Sequence, residues 1–334
     1  MATINKKYWN DFYKFWDEFV AQWFEQREAG HEEPQDQISR AYRGAVAKLN
    51  FDELPTPYLG CPHNGVEAVI IDLNPGGSEL IGFGEFQGMH SDATQDYSHI
   101  NENLGWLIRE FRDTPERSYR KFIDKWSCLN PELRGHDPWV CGVNWWQGYT
   151  NEMEMWEERG ETRERELIEY HSTSNQKCRG FRIEWARRIY DNPWLSPSKV
   201  FALELCPFHS KSFRARIGND LITFIKKNII EAAVVATNEG NLPFVLGVGS
   251  DLRRVLQELG AEVEKEWSHG DHPHNWDWPT NSGQFRNRTY SLHTVTCDNG
   301  MRGRFLVTSA RGGLTAPAPE FSAVEGHIRN MCQG

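Results

Sequence analysis

The chain has 334 residues, of which 39% are hydrophobic, 13% aromatic and 25% charged, a balance that belongs to a folded globular chain and excludes a disordered or fibrous one. A net charge of −10 argues against a protein that coats nucleic acid by phosphate neutralisation, while leaving room for a local basic groove on an acidic body. No apolar run approaches the ~20 residues needed to cross a bilayer, and the opening stretch, with Lys6, Lys7, Trp9 and Asp11, carries no secretory pattern, so a cytoplasmic location is expected.

Trp9, Phe12, Phe15, Trp16, Phe19, Trp23 and Phe24 recur at spacings of three and four, which predicts a helix over 8–29 with an aromatic, core-facing side. After a polar loop a second helix is expected over 37–49, broken by Pro55 and Pro57. The run 66–73 is short, apolar and β-branched and ends in Asn74-Pro75-Gly76-Gly77, the pattern of a buried parallel strand running into a tight loop. Three similar runs follow at 199–205, 243–249 and 304–309, with helical patterns over 214–228 and 250–260 between them. Strand, loop and helix in alternation predict an α/β fold: three α/β/α layers around a central four-stranded parallel sheet.

Between the first and second strands lie roughly 120 residues, too many for one crossover helix, so a large insertion is expected at about 88–198. It holds eight of the 14 tryptophans and a charged run over 152–169 that reads as a solvated helix. The expected division is an N-terminal helical extension over 1–50 and an α/β domain over 51–334. The seven cysteines form no C-x-x-C pair, which supports neither a zinc ribbon nor a disulfide framework.

Ligands of open parallel sheets bind beyond the carboxyl ends of the strands. Four segments occupy those ends: 72–77; 204–211 with Glu204, Cys206, His209 and Lys211; Gly247-Val248-Gly249-Ser250; and 309–315.

Leu73-Asn74-Pro75-Gly76 resembles the Asn-Pro-Gly motif of the uracil-DNA glycosylase superfamily, in particular its mismatch-specific and thymine-DNA branch. In that branch a ring that stacks on the extruded base lies twelve positions after the motif asparagine, and here that position is Phe86, within Gly82-Phe83-Gly84-Glu85-Phe86. Gly313-Leu314-Thr315 after the last strand is similar to the family's Gly-Leu-Ser element, whose leucine wedges into the duplex, and the four strands come in the family's order. The likeness covers about half the chain, the sheet and its loops.

The resemblance implies a glycosylase-like sheet and a monofunctional DNA glycosylase. Asn74, with Asp72 and Glu204, would carry catalysis; Phe86, Phe83, Glu204 and His209 would hold the base; Ser309, Arg311, Gly312, Gly313, Leu314, Thr315, Lys211 and Ser250 would meet DNA. Asp72 stands where the family has glycine and Glu204 where it commonly has asparagine, so uracil-type base reading is not expected to carry over. The final loop aligns as Ala310-Arg311-Gly312, and a slip of one residue would set Arg311 at the family's histidine position. A branch of this superfamily excises glucosylated hydroxymethylcytosine from phage DNA, and the chain is similar to it in length and departures. The substrate expectation is therefore a bulky modified base in phage DNA, with no cofactor, no metal, no membrane and no obligate protein partner.

The side chains suit that chemistry. Breaking an N-glycosidic bond builds positive charge on the sugar and negative charge on the departing base, so water must be held on one face and an anion stabilised on the other. Asn74 can orient water by hydrogen bonding, Phe86 can sandwich a flipped ring, Leu314 can fill the vacated stack, and Arg311 or a glycine-loop amide can steady the leaving base or a phosphate. Glu204 offers three readings: an acceptor for an exocyclic amine such as cytosine N4, a general base, or a partner of Lys211 or Arg311. Asp72 can take the base-reading or the general-base part. His269, His272 and His274 are open between a metal set, a polar loop near DNA and a solvated loop. Gly247-Val248-Gly249 is a weak dinucleotide signal, and Lys211, Arg214, Arg216, Arg253 and Arg254 either track phosphates or are simply solvated.

Overall fold

A computed structural model describes residues 5–47, 49–52, 54–60, 62, 65–73, 112–113, 117–121, 186, 189–192, 195, 199–208, 210, 212–213, 217–268, 289–308, 330 and 332. Helix α1, Lys6–Glu28, begins at Asn5, whose side chain accepts the Tyr8 backbone N–H at 3.1 Å. Its aromatic stripe faces the sheet: Trp9 sets a ring edge on Phe201 at 5.6 Å, and Phe12 lies 5.1 Å from Tyr58. Phe15 and Phe19 flank that stripe half-buried, packed on Phe224 and Phe208.

Helix α2, Gln37–Ala45, is capped by Asp36, which accepts the Ser39 N–H at 2.7 Å. It stops four residues before the expected 49. From β-branched Val46 the chain is extended, because strand β1, Val46–Ala47, pairs antiparallel with β5, Ser212–Phe213.

The main sheet has seven strands, not the four expected. β2 is Tyr58–Leu59, β3 Ala68–Asp72, β4 Val200–Glu204, β6 Val245–Val248, β7 Glu262–Ser268, β8 Thr289–Thr296 and β9 Arg302–Thr308, in the order β2-β4-β3-β6-β9-β8-β7. The four expected strands, β3, β4, β6 and β9, lie contiguous and parallel. β2 is antiparallel to β4, β8 to β9 and β7 to β8, so the whole is a mixed α/β sheet.

Parallel strands buried on both faces read as unbroken apolar runs, whereas β8 alternates polar and apolar residues and β7 opens Glu262-Val263-Glu264-Lys265-Glu266, the charged, exposed sequence of an edge strand. The π-helical turn Lys226–Ile230 joins α3, Asn219–Ile225, to α4, Glu231–Glu239. The helix thus starts later and runs further than the expected 214–228, because Ala232 to Ala236 are buried against the sheet. Lys226 pairs with Asp298, and Asn299 donates to Glu231 at 2.9 Å, so the turn is tied to the β8–β9 hairpin.

Helix α5, Ser250–Glu258, follows β6. The Glu239 carboxylate at the end of α4 accepts the Asn5 N–H at 2.6 Å and the Trp9 indole N–H at 2.7 Å, which fixes α1 in the same hydrophobic core as the sheet. Most of the expected insertion at 88–198 lies outside the described residues. Of the part described, Tyr119 donates to the Tyr58 carbonyl at 3.1 Å, and Ser118 and the Arg120 N–H both donate to Asp17 of α1. Among the described residues no helix is long and apolar enough to cross a membrane.

Candidate active site at the carboxyl ends of the parallel strands

The chain runs from β3 outward to β4, then returns to place β6 on the other side of β3. The strand order therefore reverses between β3 and β6, and a crevice at their carboxyl ends is where such sheets take ligands. Asp72 ends β3 and Glu204 ends β4, and the two are register partners across the parallel pair. Paired positions in neighbouring strands lie ~5 Å apart and project to the same face of the sheet. Both are buried, at 4% and 1% exposure, a rare position for carboxylates and the main reason to look here for chemistry.

The backbone holds this pair firmly. The Glu204 N–H donates to Pro57 O at 3.0 Å, the Leu205 N–H to Asp72 O at 2.7 Å and the Cys206 N–H to Leu73 O at 2.9 Å, so the ladder continues two residues beyond the carboxylates. Burial, reinforced by the nearby Glu204 charge, pushes the Cys206 thiol up to about 12, and its sulfur lies 3.5 Å from Phe208 O. Cys206 thus stays protonated and is no nucleophile.

Across the crevice Gly249 has φ +97°, and a Cβ there would stand 2.6 Å from Leu73 Cδ1. A Cβ on Gly247 would meet Leu252 Cδ2 at 2.4 Å. The Gly-Val-Gly run is thereby explained by packing: one glycine admits α5 and the other admits Leu73. Ser250, expected to meet DNA, is the first residue of α5 and half-buried at the rim. Gly249→Ala combines φ +97° and ψ +148°, a region open essentially to glycine alone and costing a side chain on the order of 1–3 kcal/mol, with displacement of Leu73. The expected result is a urea midpoint lowered further than in Gly260→Ala, where φ is +74° but an added Cβ meets nothing within 4 Å among the described residues; equal shifts would remove Leu73 from the account.

Of the expected site residues, the structure brings together Asp72, Glu204 and, at the edge, Ser250. Asn74, Phe83, Phe86, His209, Lys211, Ser309, Arg311, Gly312, Gly313, Leu314 and Thr315 lie outside the described residues, as do Arg214, Arg216, His269, His272 and His274. Arg253 and Arg254 make ion pairs with Glu266 and Asp251, which corrects their reading as simply solvated side chains. Among the described residues no group of three or more His, Cys, Asp or Glu is placed to hold a metal ion.

Sequence reasoning missed Tyr42, whose hydroxyl donates to the Leu205 carbonyl at 3.0 Å, and the Pro57 carbonyl that receives Glu204. Tyr42 falls within the helix expected over 37–49, where its polar tip was the one signal of a donor. No protein-family model, no curated protein and no solved structure matches this chain.

Proposed function

We propose that the chain is a monofunctional DNA glycosylase that takes a bulky modified base from a flipped nucleotide and leaves an abasic site. The observation that carries the reading is the pair of buried carboxylates, Asp72 and Glu204, in register at the carboxyl ends of adjacent parallel strands beside the strand-order reversal. The resemblance of Asn74-Pro75-Gly76, Phe86 and Gly313-Leu314-Thr315 to the uracil-DNA glycosylase superfamily supports it, and in this reading the four parallel strands are a glycosylase-like core between two helical layers. Asn74 follows Asp72 by two residues and orients the water, and one carboxylate is available to take its proton. Glu204 accepts from the exocyclic amine of a cytosine-derived ring.

The base is best taken as glucosylated 5-hydroxymethylcytosine in phage DNA. Uracil needs neither a carboxylate at the base edge nor the tryptophan-rich insertion, and abasic sites in viral DNA would block its replication, an antiviral role.

The test uses the purified chain and Asn74→Ala on four DNAs: unmodified, uracil-containing, hydroxymethylcytosine-containing and glucosylated. Alkali-labile breaks and the mass of released bases are scored together. Release from glucosylated DNA alone, weakened in the variant, is expected. Release from uracil duplexes instead would mark a repair enzyme, and binding of modified DNA with no base released would mark a sensor; either overturns the proposal.

A further inference from the structure

We propose that Tyr42 is a positioning residue for Glu204, and that the N-terminal segment 36–57 serves as the clamp on the loop that carries the base-facing residues; the catalytic consequence rests on the glycosylase reading above. The described part of 204–213 is gripped at both ends and in the middle by this one segment. At its start the Glu204 N–H donates to Pro57 O at 3.0 Å, and the Tyr42 hydroxyl donates to the Leu205 carbonyl at 3.0 Å. In the middle the Thr56 N–H donates to Pro207 O at 2.6 Å. At its end β1 pairs with β5, matching Val46 to Phe213 and Ala47 to Ser212.

Tyr42 is suited to hold one geometry. It is fully buried, with Phe208 and Phe224 set edge-on at 6.0 and 5.8 Å, so ring and hydroxyl have little freedom. Burial holds the phenol far above its ordinary range, so it remains a neutral donor at any working pH. Its acceptor belongs to the residue immediately after Glu204, and that residue's own N–H is bound to the Asp72 carbonyl. The Leu205 backbone is thus held from both sides, its carbonyl by α2 and its N–H by β3. A carbonyl left in the core without its donor would turn toward another, carrying with it the strand end on which Glu204 sits.

The experiment compares wild type, Tyr42→Phe and Val255→Ala, the last a core cavity under α5 that lowers global stability without touching the loop. Amide hydrogen exchange is read first. In Tyr42→Phe the amides of Glu204, Leu205 and Cys206 are expected to exchange about tenfold faster while those of β6 and β9 keep wild-type rates. Uniform acceleration, as expected for Val255→Ala, or no change at 204–206, would overturn the clamp. Base release from glucosylated DNA is read second, with kcat down about tenfold and KM within twofold of wild type. A wild-type kcat in Tyr42→Phe overturns the proposal even if exchange changes. Local exchange as expected in a protein that releases no base supports the clamp and sinks the glycosylase reading, so the two failures are told apart.

Discussion

Glu204→Gln and Asp72→Asn are each expected to lower base release about 100-fold or more, with circular dichroism and the urea midpoint close to wild type. The amides match the carboxylates in volume and keep hydrogen-bonding capacity, so β3 and β4 should pair as before. What they lose is the charge and the ability to take a proton, which in a positioned general base is worth 10²–10⁴ in rate. Both groups are buried and are register partners, so neither is a surface acid whose loss solvent would mask. The double variant is the sharper test. If the two carboxylates act on one water and one flipped base, removing the second after the first adds little, and the double variant is no slower than the worse single by more than a few-fold. Multiplicative losses would instead show independent action, with Glu204 at the base edge and Asp72 at the water. A fall in stability of several kcal/mol with activity kept would make them structural partners and remove the observation on which the proposed function rests.

How far the fold could be read depended on what each strand is buried against. β3, β4, β6 and the 305–307 part of β9 are apolar on both faces, and a run such as Ala68-Val69-Ile70-Ile71 has little alternative in a chain of this composition. β7 and β8 escaped because their signal is weaker: Thr289 to Thr296 alternates, and Glu262 to Glu266 has one apolar residue, Val263, among charges. The two carboxylates were legible as polar residues closing apolar runs. That they are neighbours and in register came only with the fold, since Asp72 and Glu204 are separated by the whole insertion.

Tyr42 shows where such reading stops. Its acceptor lies 163 residues away, and nothing local separates a tyrosine that packs from one that packs and donates. The same holds for Gly249, which sequence offers as part of a weak dinucleotide signal and which the structure assigns to contact with Leu73.

His293 is expected to make stability fall with acid in a window set by burial. It lies wholly buried on β8, with Nε2 2.7 Å from the Ser291 hydroxyl and, among the described residues, no hydrogen-bond partner on Nδ1. Burial first, and the positive charge of Arg253 second, push its pKa down from 6.5 to about 4, so the folded protein holds it neutral. The unfolded chain binds a proton near pH 6.5 that the folded chain refuses until near 4. Stability from this group is therefore present in full above the unfolded value, declines as pH falls through 6.5, and stops declining below about 4. A shift of this size is worth between about 2 and 3 kcal/mol from pH 7.5 to 4.5, at 1.36 kcal/mol per unit. Carboxylates and the other histidines titrate as well, so the reading is a difference. Urea unfolding of wild type and His293→Gln across that range should give curves that converge toward acid, because the glutamine variant lacks this one proton. Parallel curves would mean that His293 titrates alike in both states and that the fold does not discriminate against its charged form.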